Sequence, residues 1–153
     1  MDPESNLKIL GITLPEAPKP VGAYVAYVKA GNLVFISGQV SFGQDGKLIK
    51  GKIGSDLSLE QGQEAAKACA INIISQIKAA CNNDLNQVKK CIKISGFVNS
   101  KDDFTDQPKV INGASELIVN IFGDLGKHAR AAVSVNSLPL GAAVEIEAIF
   151  EVN

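Results

Sequence analysis

The chain has no tryptophan, two tyrosines, one methionine and a single histidine. So few aromatic rings leave little on which nucleic-acid bases could stack. Basic charge is not in excess either: the net charge of −1 provides no long-range field for nucleic acid or an anionic membrane. With His128 alone, histidine-rich metal sites and most His-dependent nucleophile schemes are disfavoured. The cysteines Cys69, Cys81 and Cys91 are odd in number and lack a CxxC pair, which fits neither a disulfide framework nor a structural zinc site. Reduced, mostly buried thiols are expected. No apolar run approaches a membrane-spanning length, and Asp2 and Glu4 stand where a secretory signal would be basic. The expectation is a cytoplasmic protein with no membrane partner, no metal and no nucleic acid bound.

What is present is enough for a core. The 153 residues are 46% hydrophobic, and a domain of this length buries roughly two-thirds of its unfolded surface. Asn6 to Gly11 can form one or two helical turns, after which Pro15, Pro18 and Pro20 hold the chain extended. Tyr24–Lys29 and Leu33–Val40 read as strands joined at Ala30-Gly31-Asn32. Gly43–Gly46 reads as a second turn, with Lys47–Ile49 continuing the sheet. Ser58 and Gln61 have capping-box spacing and open a helix to about Ala80, with Ala65, Ala66, Cys69, Ile73 and Ile77 near one stripe. Val88–Val98 is a strand with Ile92, Ile94 and Val98 inward. A second helix starts near Pro108, capped by Asp106 or Gln107, and ends at Gly123. Two helices on one face of a mixed sheet give an α+β layer in one domain, 1–153, with 1–21 as an N-terminal extension. The opposite sheet face is left wet or covered by another chain, with Ile149 and either Phe35 or Val34 exposed on it according to register.

The last part of the chain holds the candidate chemistry. In the run after His128, Ala131, Val133 and Val135 alternate with Arg130, Ala132 and Ser134. After Leu138-Pro139-Leu140-Gly141, a turn, Val144, Ile146, Ala148, Phe150 and Val152 alternate with Glu145, Glu147 and Glu151. If both apolar faces meet one core, Arg130 and Glu145 project from the same opposite face. That pair is either the floor of a pocket or two ordinary residues on a wet face.

Several blocks resemble the RidA/YjgF family of reactive-intermediate deaminases: Gly31 to Gln39, Asp103-Phe104, Ala129-Arg130, Leu138-Pro139 and Val144 to Ala148. The resemblance runs from about Gly22 to Phe150. It implies a chorismate-mutase-like fold, a homotrimeric barrel with pockets between subunits, and a small carboxylate or imino-acid ligand without cofactor. It also implies hydrolysis of 2-imino and 2-enamino acids to 2-oxo acids and ammonia. In that pattern Arg130 grips the ligand carboxylate and Glu145 positions the attacking water. Tyr24, Ser37, Gly38 and Ala132 complete the pocket. Pro108 and Ala132 stand where the family often has asparagine and cysteine. A non-catalytic carboxylate-binding protein is the alternative. Endoribonuclease or translation-inhibitor activity ranks last, because no basic stripe is present.

Overall fold

The computed structural model describes residues 2–153. A short helix α1 (Pro3–Ile9) comes first, with Asp2 as its N-cap and a proline in its first turn. Next come β1 (Tyr27–Ala30), β2 (Leu33–Val40), α2 (Leu59–Ala80), β3 (Val88–Asn99), α3 (Gln107–Phe122), β4 (Ala129–Val135) and β5 (Val144–Val152). The strands form one sheet in the order β1-β2-β5-β3-β4, parallel only between β3 and β4. The result is the expected α+β layer; the helical turns expected at Asn6 to Gly11 are α1, which starts earlier, at Pro3, and ends at Ile9. Both long helices pack on the sheet face that carries Val34, Ile36, Ile94, Val98, Ile146 and Phe150, all buried. The helix α1 lies against α3, where Asn6 Nδ2 donates to the Ile121 carbonyl at 2.8 Å.

Local sequence accounts for the start of α2, whereas Asp106, at the N-cap position of α3, makes no side-chain capping hydrogen bond. Ser58 Oγ accepts from the Gln61 amide at 3.1 Å while Gln61 Oε1 accepts from the Ser58 amide at 2.8 Å, closing the predicted capping box. The alanine-rich stripe of α2 is buried as expected, and so are Val110, Ile111, Ala114, Leu117, Ile118 and Ile121 of α3. Small residues let the two helices approach closely. A Cβ on Gly113 would run into the backbone carbonyl of Gln63 on α2.

Four local expectations are corrected. The first strand begins at Tyr27 and not Tyr24, because the chain before Ala26 leaves the ladder to line a cleft. Lys47–Ile49 forms no strand, only a single bridge between Phe42 and Leu48. In β3 the inward residue is Cys91 and not Ile92, since a bulge between Cys91 and Lys93 shifts the alternation. All three cysteines are free and buried.

The fourth correction matters for function. β4 and β5 are not partners, because β3 runs between them. Arg130 stands opposite Ile94, which stands opposite Ala148, so Arg130 lies on the helix-covered face. Glu145 stands opposite Phe97 and Val40 on the other face. Arg130 and Glu145 therefore project from opposite faces. The alternation within β4 and β5 is as expected, but Ala131 and Val133 face outward instead of toward the core.

Replacing Gly113 by alanine tests the helix contact. Helix propensity alone would favour alanine by about 1 kcal/mol. The overlap with Gln63 reverses the sign, and a net loss of about 2 kcal/mol is expected in urea unfolding of Gly113→Ala.

Candidate functional site

A cleft of about 590 Å³ opens beside Glu145. One wall is the extended strap Pro18–Tyr24, another the Pro139–Leu140 turn, and the floor includes Ser37, Gly38, Gln39 and Glu145. Side chains of the fold hold the strap in place. Gln76 Nε2, on the buried face of α2, donates to the Pro18 carbonyl at 2.6 Å, and Ser37 Oγ donates to the Val25 carbonyl at 2.7 Å. The same serine therefore lines the cleft and pins the strap. Asn72 Nδ2 donates to the Phe42 carbonyl at 3.1 Å and closes the inner end.

The floor follows from an irregularity in β2. Ile36 pairs with Ala148 and Gln39 with Ile146, so Ser37 and Gly38 stand opposite the single residue Glu147. This bulge turns the Gly38 backbone toward β5. A Cβ on Gly38 would overlap the Glu145 carboxylate, so glycine is what gives that side chain its room.

Glu145 is half-buried, and among the described residues no cation pairs with it. Burial, reinforced by the negative charge of Glu147, raises its pKa above the ordinary carboxylate value. Behind it on α2, Cys69 donates through sulfur to the Val144 carbonyl at 3.4 Å, and burial pushes its thiol pKa well up. That thiol is not a nucleophile.

The opposite wall carries backbone strain. Leu140 has φ 62°, in the left-handed region, yet the residue is 71% exposed. The turn is tied down by Gly51 N–H to the Gly141 carbonyl at 3.1 Å and Asn99 Nδ2 to the Ala142 carbonyl at 3.1 Å. Asn99 in turn accepts from the Lys52 ammonium at 3.0 Å, and Lys52 also donates to the Asn136 carbonyl.

The cleft thus brings together Tyr24, Ser37, Gly38 and Glu145. Arg130 and Ala132 lie elsewhere, on the helix side of β4. Arg130 donates from Nη1 to Asn112 Oδ1 at 2.8 Å and to Ser115 Oγ at 3.2 Å, both on α3. A simple Arg130–Glu145 ion pair within the chain is therefore not formed. Sequence reasoning missed Asn112 and Ser115, although two polar residues three apart beside the apolar stripe of α3 were a usable signal. It also missed Lys19, Asn72 and Leu140, which reach the cleft only through tertiary folding. No helix among the described residues is long and apolar enough to cross a membrane, and no group of three His, Cys, Asp or Glu side chains converges as metal ligands would.

Comparison with known proteins adds family context. Residues 4–151 match the profile described as "YjgF/chorismate mutase-like, putative endoribonuclease". The chain is 47% identical over 150 residues to Protein TCP17 of Trypanosoma cruzi, covering 97% of this chain and 93% of that protein. It is 30% identical to the 2-iminobutanoate/2-iminopropanoate deaminase of Mus musculus, over 90% of this chain and 87% of the relative. The crystal structure of protein Atu1372 from Agrobacterium tumefaciens superposes with a TM-score of 0.91 at 45% identity, covering 99% of this chain and 94% of that one.

The raised pKa of Glu145 has a signed consequence. A carboxyl that holds its proton more tightly when folded adds stability below its unfolded pKa, and that contribution is lost as pH rises through the folded value. Glu145→Gln is expected to have a higher thermal midpoint than wild type at pH 7 to 8, with the difference closing as pH falls through the carboxylate range. Melting curves at several pH values check this.

Proposed function

The chain belongs to the YjgF/chorismate mutase-like family, and from that premise we propose that it hydrolyses 2-imino and 2-enamino acids to 2-oxo acids and ammonia. The observation that carries the reading is Glu145: a half-buried carboxylate, unpaired among the described residues, on the floor of a cleft, with its pKa raised above the ordinary carboxylate value by burial. A carboxylate placed beside the reacting carbon can take a proton from water and return it. The enamine first gains a proton at C3 and gives one up from nitrogen, becoming the imine. Water then adds to C2 while Glu145 orients it and accepts its proton. The nitrogen is protonated, the C2–N bond breaks, and ammonia leaves as the carbonyl forms. The imine is already reactive, so positioning supplies much of the acceleration.

Arg130 supplies the carboxylate grip, since a guanidinium offers a planar fork that lysine lacks. It lies on the other sheet face from Glu145, at the free edge of β4, so one chain does not assemble both groups in its own cleft. A second copy completes the site in this reading. The uncovered sheet face supports such an assembly: Val28, Phe35 and Ile149 lie in one row across β1, β2 and β5, with Val133 further along on β4. Val28, Phe35 and Val133 are exposed in the single chain, an apolar surface that subunits would cover. The register also puts Phe35, and not Val34, on that face. The assembly is a homotrimer with three boundary pockets.

Two measurements test this. Sedimentation at micromolar concentration is expected to show a particle three times the chain mass; a stable monomer defeats the shared site. Purified protein added to freshly generated 2-aminoacrylate is expected to speed pyruvate release. Glu145→Gln should lower kcat about a hundredfold or more, and Arg130→Lys should act mainly on KM. No gain over buffer, with 2-oxobutyrate still bound, leaves the chain a carboxylate-binding protein.

A further inference from the structure

Arg130 carries the proposed grip, and its surroundings specify which part of the guanidinium is on offer. The side chain leaves β4 toward the flank of α3, where Nη1 meets Asn112 Oδ1 and Ser115 Oγ. Nη1 has two hydrogens, and these two acceptors use both. Among the described residues nothing accepts from Nε or Nη2. Those two donors share one edge of the planar group, with the spacing of a carboxylate's two oxygens.

Ser115 is itself directed. His128 Nδ1 lies 2.6 Å from the Gly126 carbonyl oxygen, which can only accept, so Nδ1 carries a hydrogen. In the neutral ring Nε2 is then bare, and Ser115 Oγ, 2.9 Å away, donates to it. With its proton committed to the ring, the serine turns lone-pair density toward Arg130. The chain of contacts runs from a backbone carbonyl through imidazole and hydroxyl to guanidinium. It gives the sole histidine a place outside the cleft.

We propose that Asn112 and Ser115, with His128 behind Ser115, are positioning residues that hold Arg130 so that its Nε–Nη2 edge receives the ligand carboxylate. The inference rests on Arg130 being the carboxylate grip of the proposed reaction. A long side chain with several free torsions is fixed before the ligand arrives, so less ordering is left to binding. Asn112 and Ser115 act through Arg130, the group they both contact.

The test combines calorimetric binding of 2-oxobutyrate with steady-state turnover of 2-iminobutanoate. Asn112→Ala and Ser115→Ala are each expected to raise Kd and KM about five- to twentyfold, with kcat changed less than twofold. Ser115→Thr keeps the hydroxyl and should restore wild-type values. His128→Ala should weaken binding by a smaller factor, and Ser115→Ala combined with His128→Ala should be no weaker than Ser115→Ala alone, because both lie on one chain of contacts. The positioning role is overturned if both alanine variants bind 2-oxobutyrate as wild type does while Arg130→Met abolishes binding. If Arg130→Met binds normally, the reading of Arg130 as the carboxylate grip fails instead.

Discussion

The parallel pairing of β4 with β3 governs where the chemical groups of this fold can stand. Parallel neighbours need a crossover, and α3 is that crossover, lying over the sheet face that β3 and β4 share. Every second residue of β4 must then meet α3 or the edge beside it. Arg130 is one of these residues, and Asn112 and Ser115 are where α3 receives it. β5 joins the other side of β3 in antiparallel sense, so its alternation is set independently and Glu145 emerges on the uncovered face. A β4–β5 hairpin would have put the two charges side by side. The inserted strand separates them.

Among the described residues this separation leaves Glu145 without a counter-ion, and the local backbone increases the effect. Two residues of β2 oppose one of β5 at the bulge, and the glycine among them lets the carboxylate lie over the main chain. Partial burial without a cation nearby, and with Glu147 on the same face, disfavours the charged form. The condition that costs the folded chain stability is the one that suits a carboxyl to moving protons. Leu140 fits the same pattern, since a strained, exposed apolar residue at the opposite wall is costly unless something packs on it.

One-sided covering by helices has a second outcome. The helix face of the sheet is closed by alanine-rich α2 and by α3, whose backbones meet at Gly113. The other face keeps Val28, Phe35 and Val133 exposed beside Glu147 and Lys93. Apolar surface and a cleft that holds Glu145 without Arg130 thus occur on one molecule, and in the proposed reading association of copies would address both. The strap before Tyr27 belongs to the same economy of form: Gln76 and Ser37 hold it against the body, making a wall of residues that alone have no reason to be ordered.

The sequence by itself determined the elements and the candidate residues. The Ser58–Gln61 capping box, the α2 and α3 stripes, the turn at Gly31 and the alternation of β5 are local patterns fixed within a few residues, and local hydrogen bonding and periodicity make them legible. The block around Arg130 and the one around Glu145 were legible through resemblance. Only the tertiary structure decided which faces those residues share, because alternation fixes relative direction within a strand and says nothing of which strand lies alongside. The insertion of β3 between β4 and β5, the bulges at Ser37–Gly38 and at Cys91–Lys93, and the meeting of Arg130 with Asn112 and Ser115 depend on pairings between distant segments. Those pairings are chosen by the burial of the whole core, a quantity that no short window of sequence contains.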